Sequence, residues 1–109
     1  MIIKNYELIN EKIYQETLEN GLKVVIIPKK GFARFFVGFQ TNFGSIHIKI
    51  KNNDEVITFP KGTAHFLEHK MFEKKNGYDV SDDFAKLGLD VNAYTCQTST
   101  SYYFSGLHN

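Results

Sequence analysis

The chain has 109 residues, a formal net charge of +1 and one cysteine, Cys96. This length allows one small domain at most, and the balanced charge argues against a nucleic acid or an anionic membrane surface as partner. One cysteine cannot form an internal disulfide, no apolar run is long enough to span a membrane, and the first residues lack a signal-peptide core, so we expect a reducing compartment, the cytoplasm.

The first half of the sequence predicts strands joined by turns. Residues 1–12 predict an irregular or short extended lead-in. Asn20-Gly21 predicts a two-residue hairpin turn, because both residues can adopt positive φ, and it would join a strand at 14–18 to one at 22–27. Residues 33–44 alternate like a long strand, residues 46–50 like a half-buried one, and the polar residues 51–55 predict a loop.

The second half predicts two helices and two further strands. Pro60 introduces a helix at about 61–73, and Asp79 or Ser81 can cap a second helix at about 79–87, which Gly88 ends. The final strands are expected at 91–98 and 101–107. Strands, then two helices, then strands predict an α+β fold, a mostly antiparallel sheet with helices packed on one face.

The first helix carries the pattern His65-x-x-Glu68-His69. Histidines four residues apart lie on one helix face, about 6 Å apart along the axis, where both imidazoles can bind one zinc ion. Glu68 lies about 80° around the helix from the pair, from where its carboxylate can take a proton from a metal-bound water. We expect Ala64, Phe66, Leu67 and Phe72 to bury this helix.

A catalytic zinc needs three protein ligands, and the sequence offers no convincing third. Glu73 lies on roughly the same helix face, but its Cα is about 9 Å along the axis from the midpoint of the histidine pair, which makes it a poor ligand. His47 and His108 could approach only through tertiary contacts.

Residues 62–72, GTAHFLEHKMF, closely resemble the inverted zinc motif of the insulinase/pitrilysin-type metallopeptidases, which include the mitochondrial processing peptidases and their bacterial relatives. Further matches surround the motif in the same order: NGLKV at 20–24, FGSI at 43–46, Leu87-Gly88 and NAYT at 92–95. The resemblance covers residues 14–107. Lys74-Lys75 departs from the small residues often seen after the motif, which we interpret as loop variation.

This resemblance implies a zinc-dependent endopeptidase with His65 and His69 as zinc ligands and Glu68 as the general base. It also implies that Asn92 and Ala93 lie on an edge strand that binds a peptide or protein substrate in extended form. The family's third ligand is a Glu on a later helix, so the 109 residues are expected to be a single incomplete domain, the N-terminal half of a metallopeptidase domain, and inactive alone. A homo- or hetero-dimer with a related subunit stays open.

Two alternatives remain. The chain could be a non-catalytic paralogue or fragment that acts as a partner or peptide-binding subunit, although intact His65, Glu68 and His69 argue against a decayed site. A nucleic-acid module built on aromatic strands is disfavoured, because Phe35, Phe39 and Phe43 share one strand face and look like core residues.

Overall fold

The structure is a computed structural model that describes residues 1–108. The chain divides into two compact units, Met1–Phe32 with one sheet and Ala33–Asn109 with two. None of the helices in the described residues is long and apolar enough to cross a membrane.

The first unit is a three-stranded antiparallel sheet. Its strands are β1 (Ile2–Tyr6), β2 (Glu11–Thr17) and β3 (Lys23–Ile26), hydrogen-bonded in that order. A single turn of 3-10 helix at Glu7–Ile9 connects β1 to β2, and Asn10 closes it in the left-handed conformation. The lead-in is therefore a regular strand and a helical turn, more ordered than the sequence predicted.

The predicted hairpin between β2 and β3 is present, but the prediction that its turn has two residues was wrong. The last strand pair is Thr17 and Lys23, and a further bond of 2.8 Å from the Leu18 amide to the Leu22 carbonyl leaves three residues, 19–21, in the turn. Within it Gly21 has a φ of +85°, whereas Asn20 does not adopt positive φ. Instead, the Asn20 side chain accepts a hydrogen bond of 3.0 Å from the Leu22 amide. A three-residue hairpin loop needs one left-handed residue, here Gly21, whereas a two-residue type I′ turn needs two.

The second unit is built on the antiparallel sheet β4-β8-β7, with β7 at one edge. Helices α1 and α2 both pack against β7, and α1 also contacts β8, so the α+β fold is confirmed. The unit consists, in chain order, of β4 (Arg34–Thr41), β5 (Lys49–Asn52), β6 (Glu55–Thr58), α1 (Thr63–Phe72), α2 (Val80–Lys86), β7 (Asp90–Thr95) and β8 (Thr100–Leu107).

Strands β5 and β6 form a separate hairpin that the sequence did not predict. Residues 51–55 were expected to be a loop, but only Asn53 and Asp54 lie between the two strands. Asn53 has a φ of 54°, a left-handed conformation that Asn tolerates better than most residues. One such residue reverses the chain tightly, and the polar residues around it pair as strand residues.

Helix α2 shows the predicted end signals. At its start, the Asp79 carboxylate accepts hydrogen bonds from the backbone amide of Ser81 at 2.8 Å and from its hydroxyl at 2.6 Å. At its end, Gly88 has a φ of +72°, and the Leu89 amide reaches back 3.0 Å to the Phe84 carbonyl. These contacts form the C-terminal motif in which a left-handed glycine lets the last carbonyls find donors.

A close backbone contact at Gly44 fixes the turn between β7 and β8. The Ser45 amide donates to the Cys96 carbonyl at 3.0 Å, and the Ile46 amide donates to the Gln97 carbonyl at 3.1 Å. A Cβ atom on Gly44 would lie 2.5 Å from the backbone nitrogen of Ser99 and 2.6 Å from the Cys96 carbonyl oxygen. Only glycine allows the two segments to approach so closely.

A second network braces the connection between α1 and α2. The Asp83 carboxylate accepts hydrogen bonds of 2.8 Å from the Lys74 ammonium and of 2.8 Å from the Tyr78 hydroxyl, and the Lys86 ammonium also donates to Tyr78. The bond from Lys74, followed by the bond from Tyr78, lowers the pKa of Asp83 from 3.8 to about 2. The carboxylate therefore stays ionised far into the acid range.

We predict that Gly44→Ala lowers the free energy of unfolding by about 1–3 kcal/mol, because the new methyl group overlaps backbone atoms that cannot move aside. Chemical denaturation of the 109-residue chain measures this. Gly38→Ala is the matched control, since its Cβ would meet only the Phe36 side chain, at 3.2 Å. Equal stability of the Gly44 variant and the parent would contradict the close contact.

We predict that Lys74→Met raises the pKa of Asp83 from about 2 toward its ordinary 3.8. A carboxyl whose pKa is lowered by folding stabilises the folded state above pH 3.8, and this contribution is lost as the pH falls through 2. Carbon-detected NMR titration of the carboxyl groups follows the change directly. Lys75→Met removes the neighbouring charge, which makes no contact with Asp83 among the described residues, and should leave the pKa unchanged.

Candidate metal centre

Helix α1 presents an unusual set of side chains to the sheet. Ala64, Glu68 and Phe72 are spaced four residues apart and share one helix face. Ala64 is only 3% exposed, and the Phe72 ring lies 6.3 Å from the Tyr102 ring of β8. Glu68 thus occupies the middle of the buried stripe.

The expectation that Phe66 and Leu67 help to bury α1 was wrong in this structure. The two side chains are 62% and 47% exposed, respectively. The reason is geometric: the face centred on Ala64, Glu68 and Phe72 is the one that meets the sheet, and residues 66 and 67 lie to the side of it or opposite.

His65 and His69 come together on the exposed side of the helix. Their Nε2 atoms are 3.2 Å apart, and their rings are 4.7 Å apart at an angle of 76°. Zinc binds imidazole nitrogen at about 2.0–2.1 Å in tetrahedral geometry, which places two ligand nitrogens about 3.3 Å apart. The observed separation fits one zinc ion held by both Nε2 atoms.

Glu68 is the buried member of the motif. Its side chain is 12% exposed, and the Oε2 atom accepts a hydrogen bond from the Thr95 hydroxyl at the end of β7. The same oxygen lies 3.8 Å from Nδ1 of His65. The carboxylate therefore lies beside the two imidazole rings and leaves both Nε2 atoms available as metal ligands.

The charge of Glu68 affects the pKa of Tyr102. Its pKa is raised above 10, first by burial and second by the negative charge of the Glu68 carboxylate. The second cause indicates that Tyr102 lies near the Glu68 carboxylate.

None of the three candidate third ligands completes a metal site in the described part of the chain. Glu73 forms an ion pair with Lys70, and the Nδ1 atom of His47 accepts a 2.9 Å hydrogen bond from the Gly44 amide. His108 follows β8, where its backbone amide donates to Ala33. Within residues 1–108, no group of three or more His, Cys, Asp or Glu side chains is arranged to hold a metal ion.

Glu68 and His69 line a cavity of about 310 Å³ together with Asn92 and Ala93 of the edge strand β7. The structure thus brings four of the five predicted site residues to one cavity, and His65 adjoins it through His69. The Asn92 side-chain oxygen accepts a 2.8 Å hydrogen bond from the Ala93 amide. The remaining lining residues are Phe72, Glu73, Asp79, Ser81 and Val91.

Sequence reasoning missed Thr95 and Thr100 as neighbours of the site. They face each other across the β7–β8 hairpin, and Thr95 bonds to Glu68 across 27 residues of sequence. The only signal was that Thr95 ends the NAYT segment. Its partner on α1 could not be identified without knowing how the helix docks.

Residues 42–109 match the family model described as Insulinase (Peptidase family M16). The chain is 45% identical, over 95% of its length, to a Bacillus subtilis (strain 168) protein named uncharacterized zinc protease YmfH. It is 38% identical, over 79% of its length, to the beta subunit of the mitochondrial-processing peptidase of Bos taurus. It spans 24% of the first relative and 16% of the second.

The fold is also similar to a crystal structure from Alicyclobacillus acidocaldarius of a protein described as an M16-like peptidase. The TM-score is 0.82 at 38% sequence identity, and the match covers 91% of this chain and 23% of the other. Family model, relatives and fold agree, and the chain belongs to the insulinase family, Peptidase family M16.

Proposed function

We propose that this chain forms the first part of the catalytic domain of a zinc endopeptidase. The observation that carries the proposal is the 3.2 Å separation of the His65 and His69 Nε2 atoms beside the buried Glu68 carboxylate. One helix thus carries two ligand nitrogens at a separation that suits zinc and, beside them, a proton acceptor. Family membership and the names of the relatives support the same reaction class.

His65 and His69 would hold the zinc ion through Nε2. Zinc, when bound, makes a water molecule more acidic and polarises the carbonyl group of the scissile bond. Glu68 would accept the proton of the attacking water on its carboxylate and then donate it to the amine that leaves. One helix, α1, carries the proton acceptor and both ligands.

The edge of β7 is the proposed binding site for the substrate backbone. An edge strand offers backbone groups to which an extended peptide can add as a further strand, and Asn92 and Ala93 lie there beside Glu68. Because the Ala93 amide donates to the Asn92 side chain, a peptide that uses this amide must displace that side chain. The substrate is therefore expected to be extended at the scissile bond. Assembly with a related subunit, like that implied by the name of the Bos taurus relative, stays open.

We predict that the 109-residue chain binds zinc weakly and cleaves peptides little or not at all, since a catalytic zinc needs three protein ligands. His65→Ala and His69→Ala should each weaken the binding at least about tenfold, or about 1.4 kcal/mol. Competition titration with a chromophoric chelator measures the affinities.

His108→Ala is the control, because His108 follows β8 and is not one of the two histidines on α1. The zinc affinity of this variant should equal that of the parent. Tight 1:1 binding with peptide turnover by the 109-residue chain would overturn the prediction. Such a result would also mean that His47, Glu73 and His108 must be considered again as third ligands.

We predict that Glu68→Gln, made in a form of the protein that cleaves peptides, lowers kcat by about 10²–10⁴-fold and leaves zinc content unchanged. The amide keeps the shape of the side chain but cannot take a proton. Steady-state kinetics and metal analysis of the same sample separate the two effects.

Glu73→Gln is the matched control, since Glu73 lines the same cavity but is paired with Lys70. Its kcat should stay within about threefold of the parent, well inside the effect expected at a general base. Full activity of Glu68→Gln would refute the assignment of the base. Zinc-independent peptide binding without turnover, unaffected by Glu68→Gln, would instead support a non-catalytic peptide-binding subunit.

A further inference from the structure

Glu68 has an inward-facing partner that the zinc motif does not contain. The Thr95 hydroxyl donates a hydrogen bond to Oε2 of Glu68 where α1 packs against β7. The Glu68 side chain is only 12% exposed, and a carboxylate so far removed from water requires a donor inside the protein. A hydrogen bond to an ionised acceptor is also about twice as strong as a neutral one, so this contact weighs heavily in orienting the side chain.

The direction of this hydrogen bond follows from the Glu68 carboxylate, which can only accept. Thr100 is 2% exposed and donates its hydroxyl proton to the Phe43 carbonyl at 2.8 Å. A hydroxyl has one proton, so Thr100 has none left for Thr95, whose oxygen lies 3.5 Å away. The Thr95 proton goes to Glu68, because the Glu68 oxygen is the closer acceptor and the Thr100 oxygen lies at the limit of hydrogen-bond distance.

The backbone holds Thr95 in this position from two sides. Thr95 pairs with Thr100 across the β7–β8 hairpin, and the Cys96 amide closes the turn on the Ser99 carbonyl at 2.9 Å. The segment after Gly44 then binds the outside of the same turn. The hydroxyl thus belongs to a braced strand end, which a precise orientation of a catalytic group requires.

The same Oε2 atom also lies 3.8 Å from Nδ1 of His65. Without the Thr95 hydroxyl, the carboxylate would keep this weaker attraction and could turn about its side-chain bonds. The base would then spend less time at the position from which it accepts a proton.

We propose that Thr95 is a positioning residue for Glu68: its hydroxyl, held at the end of β7, keeps the carboxylate in one orientation. The proposal rests on the proposed function of Glu68 as the base. In this proposal residues of α1 bind the metal ion, and the end of β7 orients the base.

Thr95→Val and Thr95→Ser separate the hydroxyl from the size of the side chain. Valine keeps the shape and removes the donor, whereas serine keeps the donor. In the metal-free 109-residue chain at pH 7, three-bond couplings measured by NMR report whether the Glu68 side chain occupies one rotamer. We expect one rotamer in the parent and in Thr95→Ser, and rotamer averaging in Thr95→Val.

In a form of the protein that cleaves peptides, we expect Thr95→Val to lower kcat about tenfold to hundredfold, because a misplaced catalytic group costs that much, with KM and zinc content unchanged. Thr95→Ser should restore kcat to within about threefold, since the donor is back in place. Thr98→Val is the control, because Thr98 is an exposed residue of the same hairpin turn. It should leave both the Glu68 couplings and kcat at parent values.

A single Glu68 rotamer in Thr95→Val, or a Thr95→Ser variant that behaves like Thr95→Val, would overturn the proposal. Thr95→Ala gives the same comparison if the valine variant does not fold, as judged by circular dichroism. The two hypotheses fail differently. Activity retained in Glu68→Gln would remove the proposed function, whereas an inactive Glu68→Gln with a fully active Thr95→Val would remove only the role of Thr95.

Discussion

The structure of the second unit depends on one unfavourable placement, a carboxylate in the middle of the helix face that packs on the sheet. Glu68 lies between Ala64 and Phe72 on that face, at a position where an ordinary amphipathic helix has an apolar residue. Meanwhile Phe66 and Met71 are 62% and 60% exposed. Simple amphipathic patterning would place these residues the other way round, with the carboxylate exposed and the large apolar side chains packed on the sheet. Such a conflict between a local rule and the fold is typical of functional sites.

The cost of this placement is offset by polar groups that the sheet supplies. Burying an ionised carboxylate without partners is strongly unfavourable, so the sheet must present a donor at the point where the helix docks. Thr95 does so because β7 ends there, and Thr100 has its own acceptor in the Phe43 carbonyl. Tyr102 remains a neutral phenol next to the charge. The polar cluster is satisfied as a whole, which is the condition under which a buried network orders a site.

Sequence reasoning succeeded where short-range geometry decides the outcome. The spacing of His65 and His69 fixes their proximity on any α-helix, and the caps at Asp79 and Gly88 act within a few residues. It failed at Asn20, because the three-residue loop needs one left-handed residue, Gly21, and not two.

The contacts that lie beyond such reasoning are those made by docking. The bond from Thr95 to Glu68 and the inward face of α1 join residues that are distant in sequence. The expectation that Phe66 and Leu67 are buried failed for the same reason, because composition does not tell which side of a helix a sheet will take. The motif predicted the chemistry, whereas the orientation of the Glu68 carboxylate required the structure.

The two halves of the site are therefore held by different structural elements. The imidazole pair depends on the regularity of one helix, whose turn brings side chains four residues apart onto the same face. The carboxylate depends on the end of β7, on the β7–β8 turn and on the close approach at Gly44. A change in the turn can consequently disturb the proton acceptor while leaving the imidazole pair intact, so conservation of the His-x-x-Glu-His pattern alone is not sufficient evidence of a working base.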